Sequence, residues 1–331
     1  MTDLNLITDI AGISIGHATD LKLGSGVTVV RFDRPAVASG VALGGAPGGR
    51  DTGLLAPEMT VETVDAFVLS GGSAFGLDAA GGAQASLLKA GRGFPLGDVL
   101  IPIVPQAILM DLLNGGDKNW GPRSPYWDMG FAAAEAARPG AFALGTVGAG
   151  TGATTATIKG GLGSASATTR SGHRVGVVIA VNAVGTATIG DGPHFWSSPF
   201  ERDGEFGGRG WPATFTASDL ALRAKGVQTT GTTIGVIATD AVLTKTAAHR
   251  LALMAHDGLA RALFPTHLPM DGDTVLAAAT GEKPIENPDD WVEICHLATQ
   301  VAARAIARGV YEATALPVAN AQPAWRDRFG G

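Results

Sequence analysis

Six short apolar runs punctuate this chain, at 26–32, 66–69, 142–147, 175–181, 234–238 and 274–279, most of them bounded by glycine. They read as strands. Their apolarity is continuous where a half-exposed strand would alternate, so both faces of each strand are expected to be covered. Four stretches supply helices to cover them: 76–90, 129–137, 244–263 and 289–311. The first ends before Gly91 and the second at Pro139. The third starts from a Thr244 N-cap and stops before Pro265; the fourth opens on Asp289 and Asp290, which suit a helix N-terminus. Leu251, Met254, Gly258, Leu259 and Ala262 fall at helical spacing and predict a core stripe. Buried strands with helices against them make the fold class α/β or α+β, in layers.

A chain of 331 residues, 45% apolar, can bury a sizeable core in one large domain or two. Its 48 glycines follow no triplet period and read as tight turns and close backbone packing. A net charge of −6, with no run of like charges, argues against nucleic acid or an anionic membrane as the main partner. Cys295 is the single cysteine, which rules out an intrachain disulfide and fits a reducing compartment. The first residues lack the basic start and apolar stretch of a signal peptide. Segment 99–113 is broken by Pro102, Pro105 and Asp111 and is too short to span a bilayer. A soluble cytoplasmic protein is expected.

The candidate chemistry centres on Gly231-Thr232, at the entry to the run 234–238. If that bond is cut, Thr232 carries a hydroxyl nucleophile and, as its α-amine, a base. The cut itself, an N→O acyl shift, needs a hydroxyl just after the bond, and a preceding glycine tolerates an unusual backbone angle. The freed amine would titrate at roughly 7.7–8.0 and could accept the hydroxyl proton near neutral pH. Upstream, 191–226 is rich in Gly, Pro and polar residues and reads as a long surface loop; if mobile, it would let the new terminus separate. By itself Gly-Thr-Thr reads as the start of an ordinary strand.

Asp271 and Asp273, two apart, would share a face in an extended segment, where two carboxylates call for a shared proton or a cation. A Thr232 ammonium answers that need; a solvated turn or a helix cap is the plainer alternative. Lys159 stands alone among glycines and apolar residues, either facing a cleft or snorkelling to the surface. Asn182, at the end of the run 175–181, offers an amide to an oxyanion, a contact worth about 3–4 kcal/mol in comparable sites, or closes an Asx turn. The seven histidines form no zinc pattern. Cys295-His296 reads as one core and one surface position on a helix. The glycine-rich segment 71–76 lacks the P-loop lysine and reads as helix–strand packing, and no G-x-S-x-G elbow is present.

Further stretches carry a resemblance: 9–20 (DIAGISIGHATD), 44–52 (GGAPGGRDT), 69–78 (LSGGSAFGLD), 101–105 (IPIVP), 147–150 (VGAG), 159–163 (KGGLG), 232–240 (TTIGVIATD) and 270–274 (MDGDT). In this order they resemble the L-aminopeptidase/D-esterase family of self-processing hydrolases, with the β-peptidyl aminopeptidases and the nylon-oligomer (6-aminohexanoate) endo-hydrolases. The resemblance implies an α+β fold, an αββα four-layer sandwich like that of the N-terminal-nucleophile hydrolases. It implies one compact unit over 1–331 that cuts itself into an α chain, 1–231, and a β chain, 232–331, with Thr232 as nucleophile. The Asp271/Asp273 pair is similar to the nylon-oligomer enzymes, and Lys159 and Asn182 fall on active-site positions of that branch. Assembly into tetramers or larger homo-oligomers is also implied.

The combined expectation is an amide or peptide hydrolase that needs no cofactor and no metal. Thr232 attacks, Asn182 holds the oxyanion, Asp271 and Asp273 orient the amine, and Lys159 tunes the network. Acyl transfer through the same acyl-enzyme, or a non-catalytic binding protein on the same fold, are the alternatives. Short peptides, β-peptides, amino-acid amides and ω-amino-acid oligomers all stay open as substrates. Asp271 and Asp273 could greet a substrate ammonium, and Phe75 and the tryptophans of the 191–226 loop could line a pocket.

Overall fold

A computed structural model describes residues 3–225 and 230–330. Residues 226–229 lie outside the described residues, and with them position 226, the last of the segment 191–226 expected as a loop. The strands of the first half are β1 (Ile13–Asp20), β2 (Ser25–Ala42), β3 (Gly49–Arg50), β4 (Thr63–Ser70), β5 (Phe94–Leu96), β6 (Val99–Ile101) and β7 (Gln106–Ile108). Those of the second half are β8 (Gly161–Thr168), β9 (Arg174–Asn182), β10 (Thr232–Ala241) and β11 (Thr274–Lys283). The helices are α1 (Ala79–Lys89), α2 (Tyr126–Ala136), α3 (Lys245–Ala262), α4 (Pro288–Tyr311) and α5 (Trp325–Phe329).

One hydrogen-bonded path runs β3-β7-β4-β2-β11-β10-β9-β8, with β1 added beside β2; β5 and β6 form a separate hairpin. The 18-residue β2 lets one path make two layers. Its first half pairs with β1, its last residues pair with β11, and its pairing with β4 shifts register between Arg31 and Ala36, a stretch that includes Pro35. Proline cannot donate to the ladder, so the strand is irregular there.

Side chains then sort by strand period. Val30, Phe32, Phe67 and Leu69 of one sheet meet Val178, Ala180, Ile234, Val236 and Leu276 of the other between the layers. The opposite residues of the second sheet, Val175, Val177, Ile179, Ile237 and Val275, pack under α3 and α4. Those of the first sheet, Val27, Val29, Ala66 and Val68, pack under α1 and α2. The result is the expected αββα sandwich, in which a fully buried Val or Leu contributes roughly 1.5–3 kcal/mol.

β10 lies at the centre of its sheet, antiparallel to β9 and parallel to β11, with all ten residues buried. Thr244 caps α3 by accepting from Ala247 N, and the stripe of Leu251, Gly258, Leu259 and Ala262 is buried, with Met254 partly so. One predicted strand is absent. Segment 142–147 contributes only a bridge from Gly145 to Leu162. Gly145 has a φ of 82°, and a Cβ there would lie 2.2 Å from the carbonyl oxygen of Glu312, so the chain turns there to clear the end of α4.

The long loop is tied down over its described part. Phe195 and Phe206 are buried, Trp325 stacks on Phe195 and donates to Pro193 O, and Glu205 pairs with Arg304 of α4 at 2.6 Å. Among the described residues no helix is long and apolar enough to cross a membrane.

Candidate active site

Thr232 opens β10 and Asn182 closes β9, and the two are register partners. By strand alternation both side chains belong to the face between the two sheets, the face of Ile234 and Ala180. Both are buried. The Thr232 hydroxyl donates to the carbonyl oxygen of Gly231, the residue it follows. Gly231 itself bridges to Asp271, and Gly272 N donates to Gly231 O at 3.0 Å. The carbonyl of the candidate scissile bond is therefore held from two sides.

Gly231 plays a different part from the one expected of it. It is not among the positive-φ glycines. What requires glycine is space: a Cβ at 231 would sit 2.3 Å from Val184 N. Gly272 is similar, since a Cβ there would lie 2.8 Å from Thr232 Oγ1.

The two aspartates are buried side by side, each held by its own donors. Asp271 accepts from Val184 N at 3.2 Å and Leu268 N at 3.0 Å. Burial, then the charge of Asp273, push its carboxyl up to about 6. Asp273 accepts from Thr233 N at 2.7 Å, and from Thr266 Oγ1, His267 N and His267 Nδ1 at 2.9, 3.1 and 2.9 Å. Burial works to raise Asp273 too, but the His267 side chain and Thr233 N outweigh it and hold the carboxyl below its ordinary value. Both aspartates thus serve this chain's own donors.

Asn182 is locked in place. Its Oδ1 accepts from Thr154 N and from Lys225 Nζ, each at 3.0 Å, and its Nδ2 donates to Met110 O at 2.9 Å. An amide nitrogen carries two hydrogens, so one remains for an oxyanion.

Lys159 is neither on the surface nor bonded to a carboxylate. Its buried Nζ donates to the carbonyls of Gly150, Ala153 and Gly160 at 3.1, 2.8 and 2.8 Å. Those three bonds use all the donors of its charged form, which leaves none for a substrate. Burial brings its ammonium down to about 7.

Lys225, Thr266 and His267 are neighbours of the site that the sequence did not single out. Lys225 lies in irregular chain, where no periodicity marks a residue, and donates to both Asn182 O and Asn182 Oδ1. His267 adopts a φ of 56°, which turns it back onto Asp273. Lys159 and Lys225 both line a cleft of about 530 Å³ with Asn114, Thr154, Thr230 and Gln322. Phe75, Trp196 and Trp211 do not line it. Segment 71–76 packs as expected, and the N–H of Gly72 is taken by Asp111 Oδ1 at 2.7 Å. Cys295 is half-buried, short of the core position expected for it.

The model of peptidase family S58 matches residues 5–323. An uncharacterized aminopeptidase of Mycobacterium tuberculosis is 42% identical over 99% of both chains. A 6-aminohexanoate-oligomer endohydrolase of Paenarthrobacter ureafaciens is 28% identical, over 83% of this chain and 74% of its own. Among solved structures, a Burkholderia sp. beta-aminopeptidase superposes with a TM-score of 0.70 at 22% identity, over 98% of this chain and 92% of its own. The L-aminopeptidase D-Ala-esterase/amidase of Ochrobactrum anthropi, described as a variant of the Ntn hydrolase fold, gives 0.70 at 18%, over 98% and 91%. The four-layer fold and a family match over nearly the whole length agree: this chain belongs to peptidase family S58 and is a hydrolase of peptide or amide bonds.

Proposed function

We propose that the chain is made as a precursor, cuts itself between Gly231 and Thr232, and then hydrolyses amides with the new N-terminal Thr232 as nucleophile. In the cut, Thr232 Oγ1 attacks the Gly231 carbonyl carbon and the C–N bond breaks. The nitrogen takes up the hydroxyl proton, and water hydrolyses the resulting ester. The products are 1–231, ending in a carboxylate, and 232–331, starting with an amine.

In turnover that amine accepts the Thr232 hydroxyl proton as Oγ1 attacks the substrate carbonyl. The remaining N–H of Asn182 stabilises the oxyanion. The proton passes to the leaving amine, and water releases the acyl group. Asp271 and Asp273 supply negative charge beside the new ammonium and hold its strand through Thr233 N. Lys159, in its charged form, adds a positive field.

The observation that carries this reading is the Thr232 hydroxyl resting on the Gly231 carbonyl, in a buried strand with Asn182 opposite. The relatives' names support a substrate among short peptides, amides or ω-amino-acid oligomers. The processed α and β chains act in the cytoplasm as a homo-oligomer, which cell fractionation and sedimentation test. Intact-mass spectrometry tests the core of the reading. The wild type should give two polypeptides meeting at 231/232, and Thr232→Ala one inactive full-length chain. Two polypeptides from Thr232→Ala would overturn it.

A further inference from the structure

The cleft beside Asn182 is lined by two lysines, neither of them in an ion pair among the described residues. Among the described residues neither Lys159 nor Lys225 pairs with a carboxylate; their partners are carbonyl and amide oxygens. The one carboxylate of the lining, Asp111, is buried and already accepts from Ser25 Oγ and Gly72 N, both at 2.7 Å. Burial lowers both ammonium groups to about 7, against the opposing charges of Asp111 on both and of Asp271 on Lys225.

The donors left over point the same way. Lys159 has none, but Lys225, half-buried in the wall, uses two of its three N–H groups on Asn182. Across the lining, Gln322 has a buried Oε1 without a partner among the described residues. The two faces of that amide are interchangeable, so it can offer its NH₂ in place of that oxygen. A free substrate ammonium finds no available carboxylate here, whereas a carboxylate finds a cation and an amide.

We infer that this cleft is a subsite for a carboxylate of the substrate, held by Lys225 and Gln322 within one side chain of the oxyanion amide. The substrate class is then an amide bearing a carboxylate on the side of the scissile bond that this cleft receives. The inference rests on the reading of Thr232 and Asn182 above.

Two substrate series test it. Succinyl-, β-alanyl- and butyryl-p-nitroanilide place a carboxylate, an ammonium or a methyl on the acyl side. N-butyryl-6-aminohexanoate and N-butyryl-1,6-diaminohexane do so on the leaving side. In one series the carboxylate substrate should exceed its ammonium counterpart by about tenfold or more in kcat/KM, a difference of about 1.4 kcal/mol. Lys225→Met should bring that ratio to near one, and Lys225→Glu should invert it. A ratio cancels any general damage to Asn182. Ammonium preferred in both series, or a carboxylate preference that survives Lys225→Met, would overturn the inference.

Calorimetric titration of hexanoate and hexylammonium keeps the subsite testable if turnover fails. Hexanoate alone should bind, to the processed wild type and to Thr232→Ala, and to neither once Lys225 is Met. Binding to Thr232→Ala but not to the processed protein would mean that the released Gly231 carboxylate fills the cleft, and the substrate assignment would fall. A Thr232→Ala chain that still splits defeats the nucleophile reading and leaves the binding result standing.

Discussion

Asn182 and Thr232 face each other across the antiparallel pairing of β9 and β10, each at the end of its strand and on the face between the sheets. Register partners stand about 4.5–5.5 Å apart at Cα, so the amide needs no loop movement to reach an atom on the hydroxyl. The same amide is gripped by Thr154 N, Met110 O and Lys225 Nζ. The donor is thus fixed before any substrate arrives, which is what makes oxyanion stabilisation effective.

Asn182→Ala should therefore lower kcat by about 10²–10³-fold while KM changes little, since the contact forms only as charge develops. It should also lower stability by about 1–3 kcal/mol, because Thr154 N and Lys225 lose an acceptor inside the fold. Single-turnover acylation and urea denaturation read the two effects separately. An acylation rate within threefold of wild type would remove Asn182 from the oxyanion role.

Gly272→Ala should stop self-cleavage. Its Cβ would lie 2.8 Å from Thr232 Oγ1 and 2.8 Å from Ala46 O, so neither side can yield without moving the Thr232 hydroxyl or the backbone. A denaturing gel followed over days should show a full-length chain. Gly231→Ala should do likewise through the 2.3 Å approach to Val184 N, although no left-handed backbone is involved. Normal processing in both variants would show that the scissile carbonyl is not held as described.

The sequence made some of this legible and hid the rest, for physical reasons. Runs such as 175–181 and 234–238 announced buried strands because both faces are covered, and Thr232 stood at the start of one of them. β8 stayed hidden because its residues, Gly-Leu-Gly-Ser-Ala-Ser-Ala-Thr, are small. They are small because α4 lies directly on the strand: a Cβ at Gly163 would be 1.8 Å from Ala305 O. Only the first half of β2 was visible, since the charges and Pro35 at its irregular centre interrupt the pattern that the second half resumes. Lys225 could not be found by pattern at all. Its role comes from where an irregular segment places one ammonium, and loops carry no period to betray that.

Lys159 and Lys225 predict a pH dependence of stability. Both are lowered to about 7, against an ordinary lysine value of about 10.4 in the unfolded chain. Between these values the unfolded state binds more protons, so stability should rise with pH from about 7 to 9. Below 7 both states are protonated and these two lysines add no slope. Urea midpoints of unprocessed Thr232→Ala, taken across pH 6–9, should show the rise, and adding Lys159→Met should leave about half of it, the share of Lys225. A midpoint that falls over the same range would contradict the burial of these ammonium groups.

His267 should act as a positioning residue for Asp273. Its Nδ1 lies 2.9 Å from Asp273 Oδ2, and that carboxylate in turn accepts from Thr233 N, next to the nucleophile. With the carboxylate ionised, Nδ1 is the donor. His267→Ala should remove about 1.5–3 kcal/mol of stability, as for a hydrogen bond to a charged group. It should also raise the Asp273 carboxyl, because burial is then less opposed. Activity that needs the ionised form is lost as pH falls through that value, so the acid limb that lies below the Thr232 amine's own step in the kcat profile should move to higher pH. His267→Asn should restore much of the wild-type profile. Asparagine carries an N–H donor and, of the non-glycine residues, is among the most tolerant of the 56° φ at this position. A merely structural loss would lower kcat at every pH alike and leave the acid limb where it was, in the alanine and asparagine variants both.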